Sequence, residues 1–308
     1  MLTSRTSPDQ ILDAAHRAEI KGRSLWRDAM TRFARNRAAL VSLIVLMLVF
    51  VFAIFGGYIS PHQPDYVDFM LRGNIKELGV PSLENGHYFG LEKEGRDLYT
   101  RVVQGTRISI MVGVIGSLVA VVVGTLYGAI SGYFGGKVDS IMMRIVDILI
   151  AIPFMFVIIL LLVIFGRSMI MLFVGIGLMS WLNMARIARG QTLTIKNKEY
   201  VEAAIASGVK PIVIILRHIV PNLAGIVVVY ATLLVPELII TESFISFLGL
   251  GVQEPMTSLG ALISDGASQL NYGTTWMLIF PLFFFLITLY AFFFVGDGLR
   301  DALDPKDR

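Results

Sequence analysis

The sequence predicts an all-α fold: a polytopic membrane helix bundle with six transmembrane helices and both termini in the cytoplasm. Three observations predict it. The chain of 308 residues is 55% hydrophobic and 16% charged, with a mean hydropathy of +0.72, whereas soluble domains are about 45–50% apolar and about 25% charged. The apolar residues form six runs, each long enough to cross a bilayer core of about 30 Å as a helix. Lysine and arginine residues collect between alternate runs.

The six spans are expected at about 38–59, 108–130, 148–166, 168–185, 219–248 and 276–295. They make up a membrane domain over 38–296, preceded by an N-terminal tail (1–37) and followed by a C-terminal tail (297–308). The first run is too long for the apolar region of a signal peptide, which is about 7–15 residues, so we expect it to stay as an uncleaved span.

The orientation follows from the distribution of lysine and arginine. Nineteen of these residues fall in the two tails and in the connections after the second and fourth spans, against six in the other connections, with Arg107 at the boundary of the second span. Because basic residues are retained on the cytoplasmic side, both tails are predicted to be cytoplasmic. Fusing spans three and four into a hairpin, or splitting the long fifth run, would give other topologies, but the two basic tails disfavour an odd number of spans.

Glycines and prolines mark positions inside the spans. Gly124, Gly128, Gly132 and Gly136 recur every four residues, a spacing that lets two helices approach closely, so they predict a packing surface. A turn at 135–137 would place the last two at or beyond the helix end. Kinks are expected at three prolines inside spans three, five and six, since proline removes a helix hydrogen bond. These prolines are Pro153, Pro236 and Pro281.

Several kinds of chemistry are excluded by residue content. There is no cysteine, which removes disulfides, thiol catalysis and cysteine-ligated metals. A nucleotide-binding P-loop needs G-x-x-x-x-G-K-[ST], and its nearest match, at Gly136-Lys137, has Ser131 and Val138 in two required positions. The four histidines are scattered. We therefore expect no enzyme, no cofactor or metal in this chain, and no nucleic-acid partner.

Two carboxylates, Glu237 and Glu242, interrupt the fifth run. A charge at the bilayer centre costs about 2.5–3.5 kcal/mol, so both need a reason to be there. They lie on different faces, because five residues rotate a helix by about 140°. Either they face a translocation path, or they sit near the outer end of a kinked helix. An ion-coupled secondary transporter that uses them is the alternative function.

The connection 186–218 is long for an internal loop and predicts a short helix over about 198–207. Asn197 is a suitable N-cap, and Glu199 would lie in the first turn, where negative charge is favourable. Gly208 is a natural stop and Pro211 a natural restart for the next helix.

A helical wheel divides this short helix into two arcs. Tyr200, Val201, Ala204 and Ile205 share one arc, and Glu202, Ala203, Ala206 and Ser207 occupy the other. Small residues around one carboxylate are unusual on a solvated helix face. The second arc is therefore expected to fit a cleft in a partner protein.

The residues Glu202-Ala203-Ala204, with Gly208 and Pro221 after them, resemble the EAA loop of the permeases of ABC importers. Five further blocks are similar to the peptide and nickel permeases of that family, and most of all to the C-type subunits of oligopeptide permeases. These blocks are GRSLWRDAMTRFARNRAAL (22–40), HYFGLEKEGRDLYTRVVQGTRIS (87–109), SGYFGGKVDSIMMR (131–144), SFLGLGVQEP (246–255) and GDGLRDALDPKDR (296–308).

The resemblance implies a multi-pass permease subunit in the bacterial inner (plasma) membrane, in contact with lipid and with a second permease subunit. Two cytoplasmic ATPase subunits would hold ATP and Mg²⁺. An extracytoplasmic peptide-binding protein would deliver the cargo. The residues implied in ATPase coupling are Tyr200, Glu202, Ala203, Ala204, Gly208 and Pro221. Oligopeptide, dipeptide and nickel cargo all stay open, because permeases for each share these blocks.

The segments 60–106 and 249–274 are expected outside, where a binding protein would dock. The first contains the neighbouring charges Arg96 and Asp97 near its end. A local ion pair between these two residues that closes the loop is the alternative interpretation.

Overall fold

The computed structural model describes residues 25–72 and 74–303, and in these ranges the regular secondary structure is helical, with no strand beyond two isolated bridges. The predicted all-α fold is confirmed. The basic tail residues Arg5, Arg17, Lys21, Arg23, Lys306 and Arg308 lie outside the described residues. The main helices are α1 (Leu25–Arg35), α2 (Arg37–Phe55), α3 (Leu98–Phe134), α4 (Gly136–Ile150), α5 (Phe154–Phe165), α6 (Met169–Ile195), α7 (Glu199–Ala206), α8 (Pro211–Phe247), α9 (Leu259–Gln269) and α10 (Trp276–Leu303).

Five helices are long and apolar enough to cross a membrane: α2, α3, α6, α8 and α10. The sixth predicted span, 148–166, is not one straight helix. Instead α4 and α5 meet at an angle of 75°, and the break falls at 151–153. Pro153 explains it, because proline has no N–H to donate and pushes the residue before it out of the helical region.

Contacts at the two ends of the bundle show that the bent pair α4–α5 connects them. At one end, which we call the loop end, the Arg167 guanidinium donates to the Gly249 carbonyl oxygen over 3.1 Å and the Trp276 indole donates to the Leu91 carbonyl oxygen over 3.2 Å. At the other end, the Lys196 ammonium donates to the Gly132 carbonyl oxygen over 3.0 Å. Because α4 starts at this second end and α5 finishes at the loop end, the pair counts as one of six spans.

Helix boundaries extend beyond the predicted spans at several ends. The helix α3 begins ten residues before the expected start at 108, α6 runs ten residues past 185, and α8 begins eight residues before 219. The predicted spans are too short because they end at the first charged residue, whereas the helices continue past it. Arg101, for example, is 2% exposed inside the first turns of α3 because acidic side chains surround it.

The predicted glycine surface packs α3 against α6. A Cβ atom on Gly124 would lie 2.6 Å from the Trp181 carbonyl oxygen, and one on Gly128 would overlap the backbone of α6 at Ala185. Gly132 continues the same contact. Gly136 lies beyond the end of α3 with a φ of +53° and starts α4. These contacts confirm the packing surface for the first three glycines.

The chain enters the bundle through α1, which lies against the last turns of α10. Ala29 and Phe33 of α1 are buried in one cluster with Ala302 of α10. The first and last described helices therefore meet at the end of the bundle opposite the loop end.

Candidate functional site

The connection between α6 and α8 contains the predicted short helix. It is α7, Glu199–Ala206, within one residue of the predicted ends. Glu199 lies in its first turn as predicted. The N-cap is Lys198, not Asn197, because the Asn197 side-chain amide donates to the Leu193 carbonyl oxygen of α6 over 3.2 Å and so extends the preceding helix.

Gly208 ends α7 as predicted, with a φ of +74°. Its N–H donates to the Ile205 carbonyl oxygen over 2.9 Å, and the Val209 N–H donates to the Ala204 carbonyl oxygen over 3.1 Å. This pair of bonds is a Schellman motif, which satisfies carbonyls that the helix end leaves free and favours glycine in the left-handed position. Pro211 then occupies the first turn of α8, as predicted.

One residue anchors α7 to the bundle. Val201 is fully buried in a cluster with Ile214, Ile219 and Leu223 of α8 and Met184 of α6. Such a buried apolar side chain contributes about 1.5–3 kcal/mol to the attachment.

The rest of α7 faces outward. Ala204 is half-buried, whereas Glu202, Ala203, Ala206 and Ser207 are exposed, as the wheel predicts. The wheel is wrong about Tyr200 and Ile205, which are 44% and 51% exposed. The exposed surface of α7 is thus one carboxylate, small residues and two apolar side chains, and we call it the α7 face. Such a surface is suited to burial against a partner.

Pro221 lies exposed near the base of α8, just after a π-helical turn at 215–219. Proline cannot donate to the carbonyl four residues earlier, which belongs to Arg217, and this missing bond accounts for the wider turn. The Asn222 amide donates to the His218 carbonyl oxygen over 2.5 Å.

Glu242 is fully buried and bound by hydroxyl groups. Its carboxylate accepts from Ser109 over 3.0 Å and from Ser246 over 2.6 Å, with Ser243 at 3.4 Å. The Ser258 hydroxyl donates to Ser246 over 3.1 Å. The network joins α3, α8 and the N-terminus of α9. It gives Glu242 a position inside the protein rather than on an open path.

Glu237 is exposed and borders a cavity of about 190 Å³ between α5, α6 and α8. The two carboxylates therefore lie in different surroundings. Glu242 is enclosed by the protein, whereas Glu237 reaches the cavity.

At the loop end, a cluster of charges ties together the two segments that were expected to dock a binding protein. The Arg96 guanidinium pairs with Glu92 and also with Glu254, one of its bonds to Glu254 measuring 3.0 Å. Arg101 donates to the Pro255 carbonyl oxygen over 2.6 Å. Lys93 pairs with Asp265 over 2.5 Å in the same region.

Electrostatics in this cluster differ between the two glutamates. Burial raises the pKa of Glu92, although the cations of Arg101 and Arg96 oppose the shift. The hydrogen bond from Arg96 lowers the pKa of Glu254, which is more open to solvent. Sequence reasoning missed this cluster because Glu254 is far along the chain from Arg96.

The predicted local pair between Arg96 and Asp97 is wrong. Asp97 instead caps α3, accepting from the Thr100 N–H over 3.0 Å, and lies 3.0 Å from the ring nitrogen Nδ1 of His87. Because the Asp97 carboxylate caps α3, it does not pair with the neighbouring Arg96. In the part of the chain that the structure describes, no three histidine or acidic side chains are grouped as a metal site.

Comparison with known proteins agrees with this arrangement. Residues 124–308 match the family described as binding-protein-dependent transport system inner membrane component, and residues 24–76 match the N-terminal transmembrane domain of oligopeptide transport permease C. The chain is 54% identical to the oligopeptide transport system permease protein OppC of Escherichia coli K12 over 100% of both chains. It is 51% identical to the Haemophilus influenzae protein of that name, over 97% of this chain and 94% of the relative.

A third relative carries a different cargo name. The dipeptide transport system permease protein DppC of Bacillus subtilis is 43% identical, over 92% of this chain and 87% of its own length. The predicted resemblance is confirmed. This chain belongs to the family of inner membrane components of binding-protein-dependent transport systems, as a C-type ABC importer permease and a multi-pass protein of the bacterial inner membrane.

Proposed function

We propose that this permease forms half of the translocation path of an ATP-driven peptide importer. The names of its relatives support peptide cargo, since oligopeptide and dipeptide systems are among them. The observation that carries the proposal is the α7 face: it is exposed, yet α7 is anchored by Val201 and closed by a Schellman motif. A rigid, partly apolar knob of this kind can transmit motion from a partner to the bundle.

In this proposal the α7 face enters a cleft on a cytoplasmic ATPase subunit. Ala203 allows close approach, Tyr200 supplies apolar contact, and Glu202 meets a basic residue. Ala204 and Gly208 set the angle between α7 and α8, and Pro221 sits at the base of α8, where a wider turn lets that helix move. ATP and Mg²⁺ belong to a pair of such ATPase subunits, and this chain is a transport subunit rather than an enzyme.

The two ends of the bundle then take opposite roles. The end with α7, α1 and the last turns of α10 faces the cytoplasm, as the nineteen basic residues assigned to that side of the sequence favour. The loop end faces outside, where the joined segments 60–106 and 249–274 receive a peptide-binding protein. A second permease subunit completes the path, and lipid covers the remaining apolar surface.

The ion-coupled alternative gains nothing from these observations. It uses both Glu237 and Glu242, whereas Glu242 is held by serine hydroxyls inside the protein. The relatives of this chain are named as permease proteins of oligopeptide and dipeptide transport systems, and neither name indicates ion coupling.

Uptake measurements on the whole complex test the proposal. The permease, co-purified with its partners from the native host and reconstituted in proteoliposomes, should take up peptide with ATP present after a protonophore has collapsed the proton gradient. Uptake that stops with the protonophore while ATP is maintained would contradict it. So would a permease that purifies without any ATPase.

A further inference from the structure

The cavity beside Glu237 lies where α5, α6 and α8 come together, just after the bend at Pro153. Its volume is about 190 Å³. Its polar members are Ser180, Asn183, Tyr230, Glu237 and Thr241, and its apolar members are Phe154, Met179, Leu234 and Leu238. Its lining is mixed, with one acidic group and no basic one among the described residues.

The helix geometry puts this pocket near the middle of the bilayer. Glu237 is ten residues before the loop-end terminus of α8, which is about 15 Å at 1.5 Å per residue. Ser180 is eleven residues after the start of α6, and Phe154 is eleven before the end of α5. All three helices therefore place the pocket at about half the depth of a hydrocarbon core of about 30 Å.

The Glu237 carboxylate has no cation at this depth. Within residues 25–72 and 74–303 it forms no ion pair and no side-chain hydrogen bond. The Ser180 hydroxyl is committed to the Ile176 carbonyl oxygen over 2.6 Å, and the Thr241 hydroxyl donates to the backbone carbonyl of Glu237 over 2.9 Å. Glu242, one and a half turns away, contrasts with it, since several hydroxyls bind its carboxylate.

A lone carboxylate at mid-membrane needs a compensating partner. Facing lipid it would cost about 2.5–3.5 kcal/mol. Positive charge is the chemistry that complements it, and every unmodified peptide carries an ammonium group at its amino terminus.

We propose that this pocket is a subsite for the ammonium group of a passing peptide, with Glu237 as the counter-ion. The inference rests on the proposed function and names a chemical feature of the cargo. The Glu237 carboxylate accepts hydrogen bonds from the ammonium, and the Asn183 amide oxygen offers a further acceptor. Phe154 and Leu234 contribute apolar surface to the lining.

Position and openness suit a transient site. The Glu237 side chain is exposed rather than enclosed, so the pocket is open on one side and a bound ammonium group can leave it. Conduction along a path requires binding that is favourable enough to enter and weak enough to leave. The same positive group could come from the amino terminus or from a lysine side chain, so the test uses cargoes that separate them.

The test compares uptake per ATP hydrolysed by the complete transporter, with Glu237→Gln against wild type. The cargoes are trialanine, N-acetyl-trialanine and N-acetyl-Ala-Lys-Ala. Both transporters receive cargo from the same binding protein, so its own preference cancels when the variant is divided by wild type. The variant should lose about tenfold on trialanine, the size expected for one charged hydrogen-bond partner, and keep wild-type uptake of N-acetyl-trialanine.

The retained uptake of N-acetyl-trialanine shows that the variant is folded. A loss on N-acetyl-Ala-Lys-Ala as well assigns any ammonium group to the pocket, and a loss on trialanine alone assigns the amino terminus. Adding Asn183→Asp to Glu237→Gln returns a carboxylate to the same cavity and should restore trialanine uptake in part.

Two results would overturn the subsite. Equal losses on all three cargoes would mean that Glu237 contacts the second permease subunit or supports the fold, and unchanged uptake of all three would mean that it has no role in passage. A wild-type complex without ATP-dependent uptake of any cargo would instead refute the proposed function, on which the subsite rests.

Discussion

Single residues on the α7 face decide how firmly this permease would hold its ATPase. Glu202 is exposed and makes no ion pair in the part of the chain that the structure describes. An exposed pair with a partner is worth at most about 1 kcal/mol, whereas a buried charge left unpaired costs about 3–5 kcal/mol. Reversing its sign is therefore more damaging than removing it.

Glu202→Lys should release the ATPase or uncouple hydrolysis from transport without changing membrane insertion. The measurement is ATPase retained per permease in detergent, together with transport-coupled hydrolysis in proteoliposomes. Glu199→Ala is the matched control, since Glu199 contributes only a helix-dipole interaction of about 0.3–1 kcal/mol. If Glu202→Lys equals wild type while Glu199→Ala does not, the α7 face has been assigned wrongly.

Glu242 acts on stability rather than on docking. Removing its carboxylate leaves the hydroxyls of Ser109 and Ser246 buried without their acceptor, at about 1–3 kcal/mol for an unsatisfied group. Glu242→Ala should therefore lower the thermal unfolding midpoint of the purified permease. Glu242→Gln keeps one acceptor and should lower it less. Equal midpoints for wild type and Glu242→Ala would contradict the role of the network.

At the scale of the helices, the sequence predicts some ends and bends better than others. The ends of α7 follow from local rules, because Gly208 and Pro211 impose a stop and a restart. The sequence predicts a kink at Pro153 within one span, whereas the structure has a 75° break there between two separate helices. Other features depend on a residue that is distant in the sequence. Arg101 can be buried in α3 because Glu254 reaches it in addition to the nearby Glu92.

The bend after α7 depends on Gly208. Gly208→Val forces a β-branched side chain into a backbone region of positive φ, which should distort the Schellman motif and turn the α7 face away from its partner. Retention of the ATPase should fall, as for Glu202→Lys. Ser207→Ala changes the neighbouring residue, whose φ is −78°, and should retain the ATPase. Equal retention in both variants would show that the bend is not required.

The contact between α3 and α6 depends on the absence of a side chain at Gly128. Gly128→Ala should lower the unfolding midpoint, because the added methyl group would overlap the backbone of α6 at Ala185. Gly190→Ala is the control on α6, where a Cβ meets no atom within 4 Å. That change should be neutral or stabilise by about 1 kcal/mol through helix propensity. A smaller effect at Gly128 than at Gly190 would contradict close packing.

At the scale of the whole molecule, the two ends of the bundle differ, and each end suits one of the two proposed partners, the binding protein or the ATPase. Charged contacts join the segments at the loop end, and α7 protrudes from the opposite end. The sequence predicts this polarity through its basic residues, but it does not reveal that Arg96 and Glu254 hold the two outer segments together.

The topology itself gives the last prediction. Six spans place positions after Pro81, Gly166 and Met256 outside, and positions after Lys198 and at the C-terminus inside. Reporter fusions at these five points should give that pattern, because nineteen basic residues belong to the tails and connections that are predicted to be cytoplasmic. The fusion after Gly166 tests the bent pair α4–α5 directly. If the pair turned back instead of crossing, Gly166 would report inside with Lys198 outside, and the α7 face could not meet a cytoplasmic ATPase.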